Sequence, residues 1–336
     1  MADYKNIKGF NIQYLDSDPP NPIEGQMWFN STSQTLKGQA AGGIAAGTWA
    51  SGGNLNTARW ITSGAGRGYT PSASAALIIG GRLATTTYVG NTELYNGSSW
   101  TELNDLNTSR DQLASSGTST SAIAAGGYND TLSPAVVASS ESWNGTSWTN
   151  TPSLNLARYE PGGAGESNTS ALRFGGVNGP PKTQTESWDG SSWTEVNDLN
   201  TASGGRGGVG TQTAALAISG SPTILNVEEW NGTSWTEIAD VLTAQRGGIG
   251  AGSVSEALVY GGEFPVPATP GYRGTQYYNG TNWTEVGDFA TSRIYGGGGG
   301  LTVNAAILAG GTPPVTNATE EWTAPTGPVT KTFTTS

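Results

Sequence analysis

Glutamates recur at two fixed places in this sequence, and they are the residues whose spacing comes closest to a known chemistry. Two carboxylates can hydrolyse a glycosidic bond when one protonates the leaving group and the other attacks the sugar or activates water. A catalytic pair occurs once in a site, whereas these glutamates repeat along the chain. We therefore interpret them as solvated charge that covers outer strands and opposes edge-to-edge association. The set comprises Glu93, Glu102, Glu141, Glu186, Glu195, Glu228, Glu229, Glu237, Glu285, Glu320 and Glu321.

The sequence contains no histidine and no cysteine. This removes disulfides, thiol nucleophiles, imidazole bases, haem ligation and zinc sites of the usual kind. The Gly-rich run 204–210 lacks a following Gly-Lys-Ser/Thr, so we interpret it as an inner strand and not as a phosphate loop. Asp16 and Asp18, near Asn21, lack the closing Glu of a calcium loop and are interpreted as a solvated turn. We expect no catalytic activity, no cofactor and no metal.

A tryptophan recurs every 42 to 51 residues, in most cases at the end of an Asn/Asp-Gly-x-x-Trp phrase. This period is in the range of one four-stranded blade of a β-propeller, roughly 40–50 residues. The tryptophans can either stack on sugar rings or pack between blades, and their repetition favours packing. They are Trp49, Trp100, Trp148, Trp193, Trp235 and Trp283.

Other sequence features repeat with the same period as the tryptophans. Most are followed after ten residues by an arginine, then by a small-residue stretch, an apolar run ending in Gly-Gly, and a strand with Glu ahead of an aromatic residue. The arginines can either line a ligand channel or bind carbonyls and the Asp five residues earlier, as in Asp105 with Arg110 and Asp288 with Arg293. We favour the structural role. The arginines are Arg59, Arg110, Arg158 and Arg293, while Ser203 and Gln245 hold this place in the other repeats.

The number and order of these landmarks predict an all-β fold with six blades. The Asn-Gly and Asp-Gly pairs suit type I′ turns and make the third and fourth strands of each unit a hairpin. The small residues suit an innermost strand, where backbones approach closely. The chain opens with a Trp strand and closes with Glu321-Trp322, which lacks a hairpin partner. We therefore expect the strand near Trp49 to complete the last blade and close the ring.

The repeat resembles the kelch repeat in its order of Arg, small strand, apolar run, Gly-Gly, Glu-x-aromatic and Trp. The resemblance covers residues 39–323 and implies a six-bladed β-propeller of kelch-like repeats. Some kelch-like propellers are copper-radical oxidases, but their His ligands and Cys-linked Tyr have no counterpart here. Because kelch propellers serve many roles, a carboxylate-only hydrolase and a kelch adaptor remain as alternatives to a non-catalytic binding protein.

Residues 1–38 do not repeat and form a separate N-terminal segment, while 324–336 are a C-terminal tail. The stretch 21–38, NPIEGQMWFNSTSQTLKG, resembles a short segment of bacteriophage tail-fibre and related virion proteins, and we expect a small hairpin within it. The resemblance implies a virion structural protein, a tail-fibre or fibre-like component that displays the propeller for host-surface attachment or protein–protein contact. The alternatives are a capsid decoration protein and a secreted or cellular propeller that binds carbohydrate or protein.

Ligand or partner specificity is expected in the loops that join the second and third strands. These loops vary between repeats and share a face with the connections between blades, and loops on a rigid scaffold commonly carry binding sites. Plain surface loops are the alternative. The candidate residues are Arg82, Tyr88, Tyr128, Asn129, Phe264, Tyr272 and Arg273.

The net charge of −11 disfavours binding to nucleic acid or to an anionic membrane surface. No apolar run approaches the ~18 residues of a membrane-spanning helix, and the N-terminus lacks the basic-then-apolar order of a signal peptide. We expect a virion location after assembly in the host cytoplasm. The expected partners are other virion proteins, through residues 1–38, and a host-surface glycan or protein.

Overall fold

The computed structural model describes residues 12–20, 22, 26–40, 44, 47–60, 63–65, 75–84, 86–222, 224–263, 271–324 and 329–333. Within these ranges the chain contains no α-helix and forms β-strands throughout. In chain order the strands are β1 (Ile12–Leu15), β2 (Met27–Asn30), β3 (Thr35–Ala40), β4 (Thr48–Ser51), β5 (Ser63–Ala65), β6 (Ala76–Ala84), β7 (Thr87–Tyr95), β8 (Trp100–Glu102), β9 (Ala114–Thr118), β10 (Ser121–Ala125), β11 (Ser140–Trp143), β12 (Trp148–Thr151), β13 (Gly162–Ser167), β14 (Ser170–Phe174), β15 (Thr185–Trp188), β16 (Trp193–Val196), β17 (Gly207–Gly210), β18 (Ala215–Gly220), β19 (Ile224–Trp230), β20 (Trp235–Ile238), β21 (Ile249–Gly252), β22 (Ala257–Tyr260), β23 (Thr275–Tyr278), β24 (Trp283–Val286), β25 (Gly297–Thr302), β26 (Ala305–Ala309), β27 (Thr319–Thr323) and β28 (Val329–Phe333).

The strands form seven sheets of four strands each. The predicted all-β class is therefore confirmed. Small four-stranded sheets of this kind are compatible with a propeller of several blades. Two compact units divide the chain, one made of residues 1–47 and 324–336 and the other of residues 48–323.

The first unit contains one sheet in the order β1-β2-β3-β28. β2 and β3 form the expected hairpin, and β1 pairs with β2 in parallel. The segment expected as a tail supplies β28, which pairs antiparallel with β3. Asp18 links this hairpin, because Oδ1 accepts hydrogen bonds from Trp28 Nε1 at 2.9 Å and Asn30 Nδ2 at 2.7 Å. Its Oδ2 pairs with Lys37 at 2.6 Å.

The second unit contains six sheets, five of which follow the chain in order. The sixth has the order β25-β26-β27-β4, so its fourth strand comes from the opposite end of the repeat region. In this pairing Trp322 lies opposite Trp49. Trp49 therefore occupies the place that the other repeated tryptophans hold in their own sheets.

The turns between third and fourth strands differ from the predicted type I′ geometry. In the turn at Asn144-Gly145 the glycine has a positive φ of 92°, whereas the asparagine does not. Instead, Asn144 Oδ1 accepts the backbone amides of Thr146 and Ser147, both at 2.9 Å. An Asx side chain can bind the backbone two and three residues on and so replace a backbone turn contact. The loop between the third and fourth strands is therefore longer than the two residues of a type I′ hairpin, and the Asn144 side chain accepts its backbone amides.

The core of the second unit lies between neighbouring sheets. One apolar cluster joins Leu77 and Ile79 of β6 to Ala122 and Ala124 of β10. The first strands of neighbouring sheets also contact one another: β5 with β9, β9 with β13, β13 with β17, β17 with β21, β21 with β25, and β25 with β5. Glycine is required where they meet, because a Cβ on Gly208 would lie 2.2 Å from the backbone oxygen of Gly163.

Candidate functional site

Most of the repeated glutamates that precede an aromatic strand position are buried in ion pairs. Glu141 and Arg110 both have 0% exposure and pair with each other. The same carboxylate accepts the backbone amides of Asn107 at 2.7 Å and Thr108 at 3.3 Å. The interpretation of these glutamates as solvated charge is therefore wrong. Each glutamate instead links the connection between two sheets to the sheet on which it lies. The pairs are Arg59–Glu93, Arg110–Glu141, Arg158–Glu186, Arg206–Glu228 and Arg293–Glu320.

The arginines do not pair with the aspartates five residues earlier. Arg110 binds Glu141 and donates from Nε to the Gly126 carbonyl at 3.0 Å, whereas Asp105 is exposed. Asp288 is 47% exposed and lies 3.5 Å from Arg273. The glutamates two residues after the tryptophans are exposed as well: Glu102, Glu195, Glu237 and Glu285.

Two repeats depart from the Arg–Glu pair in ways that keep charges balanced. Where Ser203 replaces the arginine, Arg206 reaches the same position and lies 3.1 Å from Glu228. In the other repeat both partners are neutral, because Gln245 and Gln276 stand in for Arg and Glu and are 1% and 0% exposed. A lone buried charge is costly, whereas replacing both members of a pair is tolerated. The repeat chemistry is thus structural.

The repeated tryptophans lie at the junctions between neighbouring sheets. Trp148 Nε1 donates to Thr92 Oγ1 of the preceding sheet at 2.9 Å, and Trp235 donates to Thr185 in the same way at 3.0 Å. Trp283 is the exception: Val227 occupies the hydroxyl position, and the indole donates to the Ala239 carbonyl at 3.0 Å. Five of these indoles are 4–6% exposed and are committed to the core, while Trp49 is partly buried.

Unrepeated residues gather where the connections between sheets meet the loops after the apolar runs. In each repeat, the residue after the Arg position lies in an isolated bridge opposite the residue after the Gly pair. The bridges are Trp60 with Arg82, Asp111 with Tyr128, Tyr159 with Val177, Gly204 with Ser221, Arg246 with Glu263, and Ile294 with Thr312. We call the connected aromatic and charged residues at this place the rim: Trp60, Arg82, Tyr88, Tyr128, Tyr159, Glu160, Arg246, Glu263 and Tyr295.

One half of the rim is aromatic. The Arg82 guanidinium lies 4.3 Å from the centroid of the Tyr88 ring and 5.6 Å from that of Trp60. The Tyr88 and Tyr128 rings are 6.2 Å apart, and those of Tyr128 and Tyr159 are 5.7 Å apart. All four rings are partly exposed. They form a row of neighbouring, mutually inclined rings, with the Arg82 guanidinium over the face of Tyr88.

The other half of the rim is charged. Arg246 holds Glu160 through two contacts, Nη2 to Oε1 at 2.8 Å and Nε to Oε2 at 3.2 Å. It also lies 3.4 Å from Glu263, which accepts the Tyr295 hydroxyl at 2.7 Å. Burial raises the pKa of Tyr295, so this hydroxyl stays protonated at neutral pH. The Tyr295 ring is 6.1 Å from Trp60 and joins the two halves.

Asp111 lies beneath the aromatic half and is fully buried. Its Oδ2 is 2.7 Å from Arg82 Nε. Burial raises the pKa of Asp111 to about 7, although the Arg82 guanidinium acts in the opposite direction. The net charge of the Arg82–Asp111 pair therefore changes near neutral pH.

A cavity of about 170 Å³ begins at the charged half of the rim. Glu160, Tyr295 and Gln112 lie at its edge, and its walls come from β9, β13, β17, β21 and β25. A belt of backbone hydrogen bonds runs along this edge: Glu160 N donates to Gln112 O at 2.8 Å, and Gly205 N donates to Glu160 O at 2.8 Å.

Three of the edge residues have a backbone conformation that favours glycine. Gln112 and Glu160 have φ of 52°, and Tyr295 has φ of 57°. Gly205 and Gly247 hold the equivalent places in two other repeats, with φ of 63° and 68°. A non-glycine residue in this region costs on the order of 1–3 kcal/mol, and such strain concentrates at functional sites.

The structure brings together three of the seven candidate residues named from the sequence: Arg82, Tyr88 and Tyr128. Asn129 is 5% exposed; its Nδ2 donates to the Ser109 carbonyl of the preceding connection at 2.7 Å, and its Oδ1 accepts the Thr131 amide at 2.9 Å. Tyr272 donates to Glu285 at 3.0 Å and Arg273 pairs with Asp288, so both lie by the outer strand β24. Phe264 lies outside the described residues.

Sequence reasoning missed Trp60, Tyr159, Glu160, Arg246 and Tyr295. The sequence does carry a signal for these five residues. Each of them lies one or two places after the repeated Arg position, where the repeats stop resembling one another. In short connections, a single unrepeated residue carries as much information as a long insertion.

The described part of the chain contains no group of three or more acidic side chains placed to hold a metal ion. Nor does it contain a helix with the length and hydrophobicity needed to cross a membrane. No protein-family model matches the chain, and no curated protein has a significantly similar sequence. The site must therefore be judged on its own geometry.

Proposed function

We propose that this protein is a non-catalytic binding protein whose six repeat sheets are the blades of a closed, kelch-like propeller, with the rim as its binding face. The closed ring is supported by the contacts of β25 with β5 and by the pairing of β4 with β27. Each first strand would then face the axis, and the cavity would lie on it. Closure would leave only short outer edges, which limits unwanted strand pairing.

The rim is the observation that carries the binding role. The repeated Glu, Arg and Trp side chains are used to join sheets, so they are occupied by the fold. The rim instead gathers unrepeated aromatic and charged side chains from several repeats on one face, beside a cavity. Aromatic residues and arginine dominate the energetics of recognition surfaces.

We further propose that the protein is a virion component, a tail fibre or fibre-like part that attaches to a host surface. This rests on the resemblance of residues 21–38 to segments of phage virion proteins. The N-terminal sheet is a compact unit of its own, which suits a docking element for other virion proteins.

Peptide mass spectrometry of gradient-purified virus particles from the source tests the virion role. We expect the protein at a stable ratio to the major capsid protein, with a low copy number for a tail fibre. A high copy number would instead indicate a capsid decoration. Absence from purified particles, with the protein found free or on cells, would overturn the virion role and favour a secreted or cellular binding propeller.

The binding face is tested separately by adsorption of the labelled full-length protein to host cells. Tyr128→Ala is expected to reduce adsorption at least tenfold, whereas Tyr277→Ala, on a strand away from the rim, is the matched control. Equal adsorption of both variants would show that the rim is not the binding face.

A further inference from the structure

The cavity is walled by strand edges. β9, β13, β17, β21 and β25 are each the terminal strand of their sheet, and their residues line the cavity. A terminal strand presents backbone N–H and C=O groups that its own sheet does not pair. An apolar ligand would leave these groups without partners, which costs free energy. A ligand that carries many hydroxyl groups can satisfy donors and acceptors together.

The charges at the cavity edge argue against an ionic ligand. Glu160 and Glu263 face Arg246, and Asp111 beneath the rim faces Arg82. Together these five groups carry a charge between 0 and −1 near neutral pH, where Asp111 titrates. An anion meets no free cation in this set. A cation must compete with arginines that already hold the carboxylates. Each carboxylate oxygen still has lone pairs that can accept a hydroxyl proton.

The aromatic half adds a second kind of contact. The faces of the Tyr and Trp rings carry negative charge density, which attracts the weakly positive C–H groups on the face of a sugar ring. Tyr88, Tyr128 and Tyr159 are neighbouring rings inclined to one another by 53° and 67°, so each presents a face in a different direction. A ligand that is polar at its edges and has C–H faces matches both halves of the rim.

We propose that the rim and its cavity bind a neutral saccharide, with one sugar ring in the cavity and a neighbouring ring stacked on the aromatic half. The inference rests on the binding function proposed above and names its ligand class. The cavity volume of about 170 Å³ equals roughly six water molecules at ~30 Å³ each. This is enough room for a single pyranose ring. At the edge, the Glu160 carboxylate and the Tyr295 oxygen, whose proton is donated to Glu263, accept hydrogen bonds from its hydroxyl groups.

An array of neutral and acidic glycans, probed with the full-length protein, provides the first test. We expect binding to neutral glycans, with affinity that changes less than twofold between low and physiological salt because no net charge is exchanged. Binding to acidic glycans alone, or to no neutral glycan, would overturn the proposal.

Variants on both halves of the rim locate the site. Against the best neutral glycan, Tyr128→Ala and Glu160→Gln are expected to weaken affinity at least tenfold by calorimetry. Tyr128→Phe keeps the ring and is expected to stay within twofold. Glu195→Gln and Tyr277→Ala are controls outside the rim. Thermal unfolding of each variant ensures that only folded protein is compared. Full affinity in both rim variants would place the glycan elsewhere and overturn the proposal.

Periodate treatment of host cells separates the ligand class from the binding function. Periodate cleaves the vicinal diols of glycans and leaves the polypeptide backbone intact. We expect adsorption to be lost after treatment. If adsorption survives periodate but is still reduced by Tyr128→Ala, the saccharide proposal is wrong and the rim remains the binding face. Adsorption that is indifferent to Tyr128 would remove the binding face itself.

Discussion

At the residue scale, a buried Arg–Glu pair recurs in five of the six repeat sheets of the second unit. Each pair fills a fully buried position with two charges that also bind backbone groups. Removing one partner leaves an uncompensated charge, whereas changing both preserves neutrality. At the natural Gln245 and Gln276 positions, both buried side chains are neutral.

Glu141→Ala is therefore expected to lower the free energy of unfolding by about 3–5 kcal/mol, because Arg110 stays buried without a counter-charge. The double variant Arg110→Gln with Glu141→Gln, which copies the neutral pair, should recover more than half of this loss. Glu195→Ala, on an exposed strand position, is the control and should cost less than about 0.5 kcal/mol. Chemical denaturation measures all three. A double variant no more stable than Glu141→Ala would contradict the interpretation.

Asp111 gives the second unit a pH dependence of its own. Below pH 4 this carboxyl is protonated in both the folded and the unfolded chain. Between pH 4 and 7 only the unfolded chain ionises it, because its folded pKa is raised to about 7. The free energy of unfolding should therefore fall by up to about 4 kcal/mol across this range and level off above it.

Unfolding of the natural protein and of Asp111→Asn, measured from pH 4 to pH 8, isolates this contribution. The difference between the two curves should change over the range in which Asp111 ionises, because the variant lacks that carboxyl. Parallel curves would show that Asp111 is ionised in the folded protein throughout.

At the element scale, indole hydrogen bonds join one sheet to the next. Trp235 of β20 donates to Thr185 of β15, and Trp193 of β16 donates in the same way to Ser140 of β11 at 3.1 Å. Either Thr or Ser can therefore receive this bond, whereas Val227 cannot, and the Trp283 indole opposite it donates to the Ala239 carbonyl instead. The bond fixes the register between neighbouring sheets in addition to apolar packing.

Thr185→Val removes this hydroxyl at nearly constant volume and should cost about 1–2 kcal/mol, because the Trp235 indole loses its partner. Thr185→Ser, which copies the Ser140 position, should retain the bond and lose less than half as much. Thr194→Val, on the exposed face of β16, serves as the control. Equal losses for the Val and Ser variants would assign the effect to packing.

The repeat pattern predicts these elements well because it is local. Alternating burial along a strand, a glycine of positive φ and an asparagine that caps a turn all depend on residues a few places apart. The predicted type I′ turns were wrong in detail, since Asn144 supplies a side-chain acceptor in place of a positive φ. Both solutions start from the same two residues, so sequence spacing alone does not separate them.

At the scale of the whole molecule, β4 links the two ends of the repeat region. Its Trp49 ring lies 4.9 Å from Tyr260 and 5.8 Å from Phe289 and Trp322. The indole also donates to Thr275 Oγ1 at 2.8 Å. One strand of four residues therefore completes both a sheet and a junction between sheets.

A fragment of residues 48–323 is expected to unfold cooperatively, whereas one of residues 54–323, which lacks β4, should lose roughly 5 kcal/mol or more, beyond the cost of deleting one Trp side chain. Thermal unfolding followed by Trp fluorescence compares them. Trp49→Phe in the longer fragment provides a milder control. Equal midpoints for the two fragments would show that β4 is dispensable and would count against the closed ring.

The sequence by itself determined the all-β class, the repeat period, the positions of the six repeated Trp and four repeated Arg, and the absence of His and Cys chemistry. These follow from local spacing and composition. The tertiary structure decided which charges are buried and which residues form the rim. Glu141 and Glu195 look alike in sequence, but one faces Arg110 and the other faces water. The rings of Trp60 and Tyr295 are neighbours although most of the chain separates the two residues in sequence. Such partners are set by which strands and connections come together, and residue spacing does not specify that.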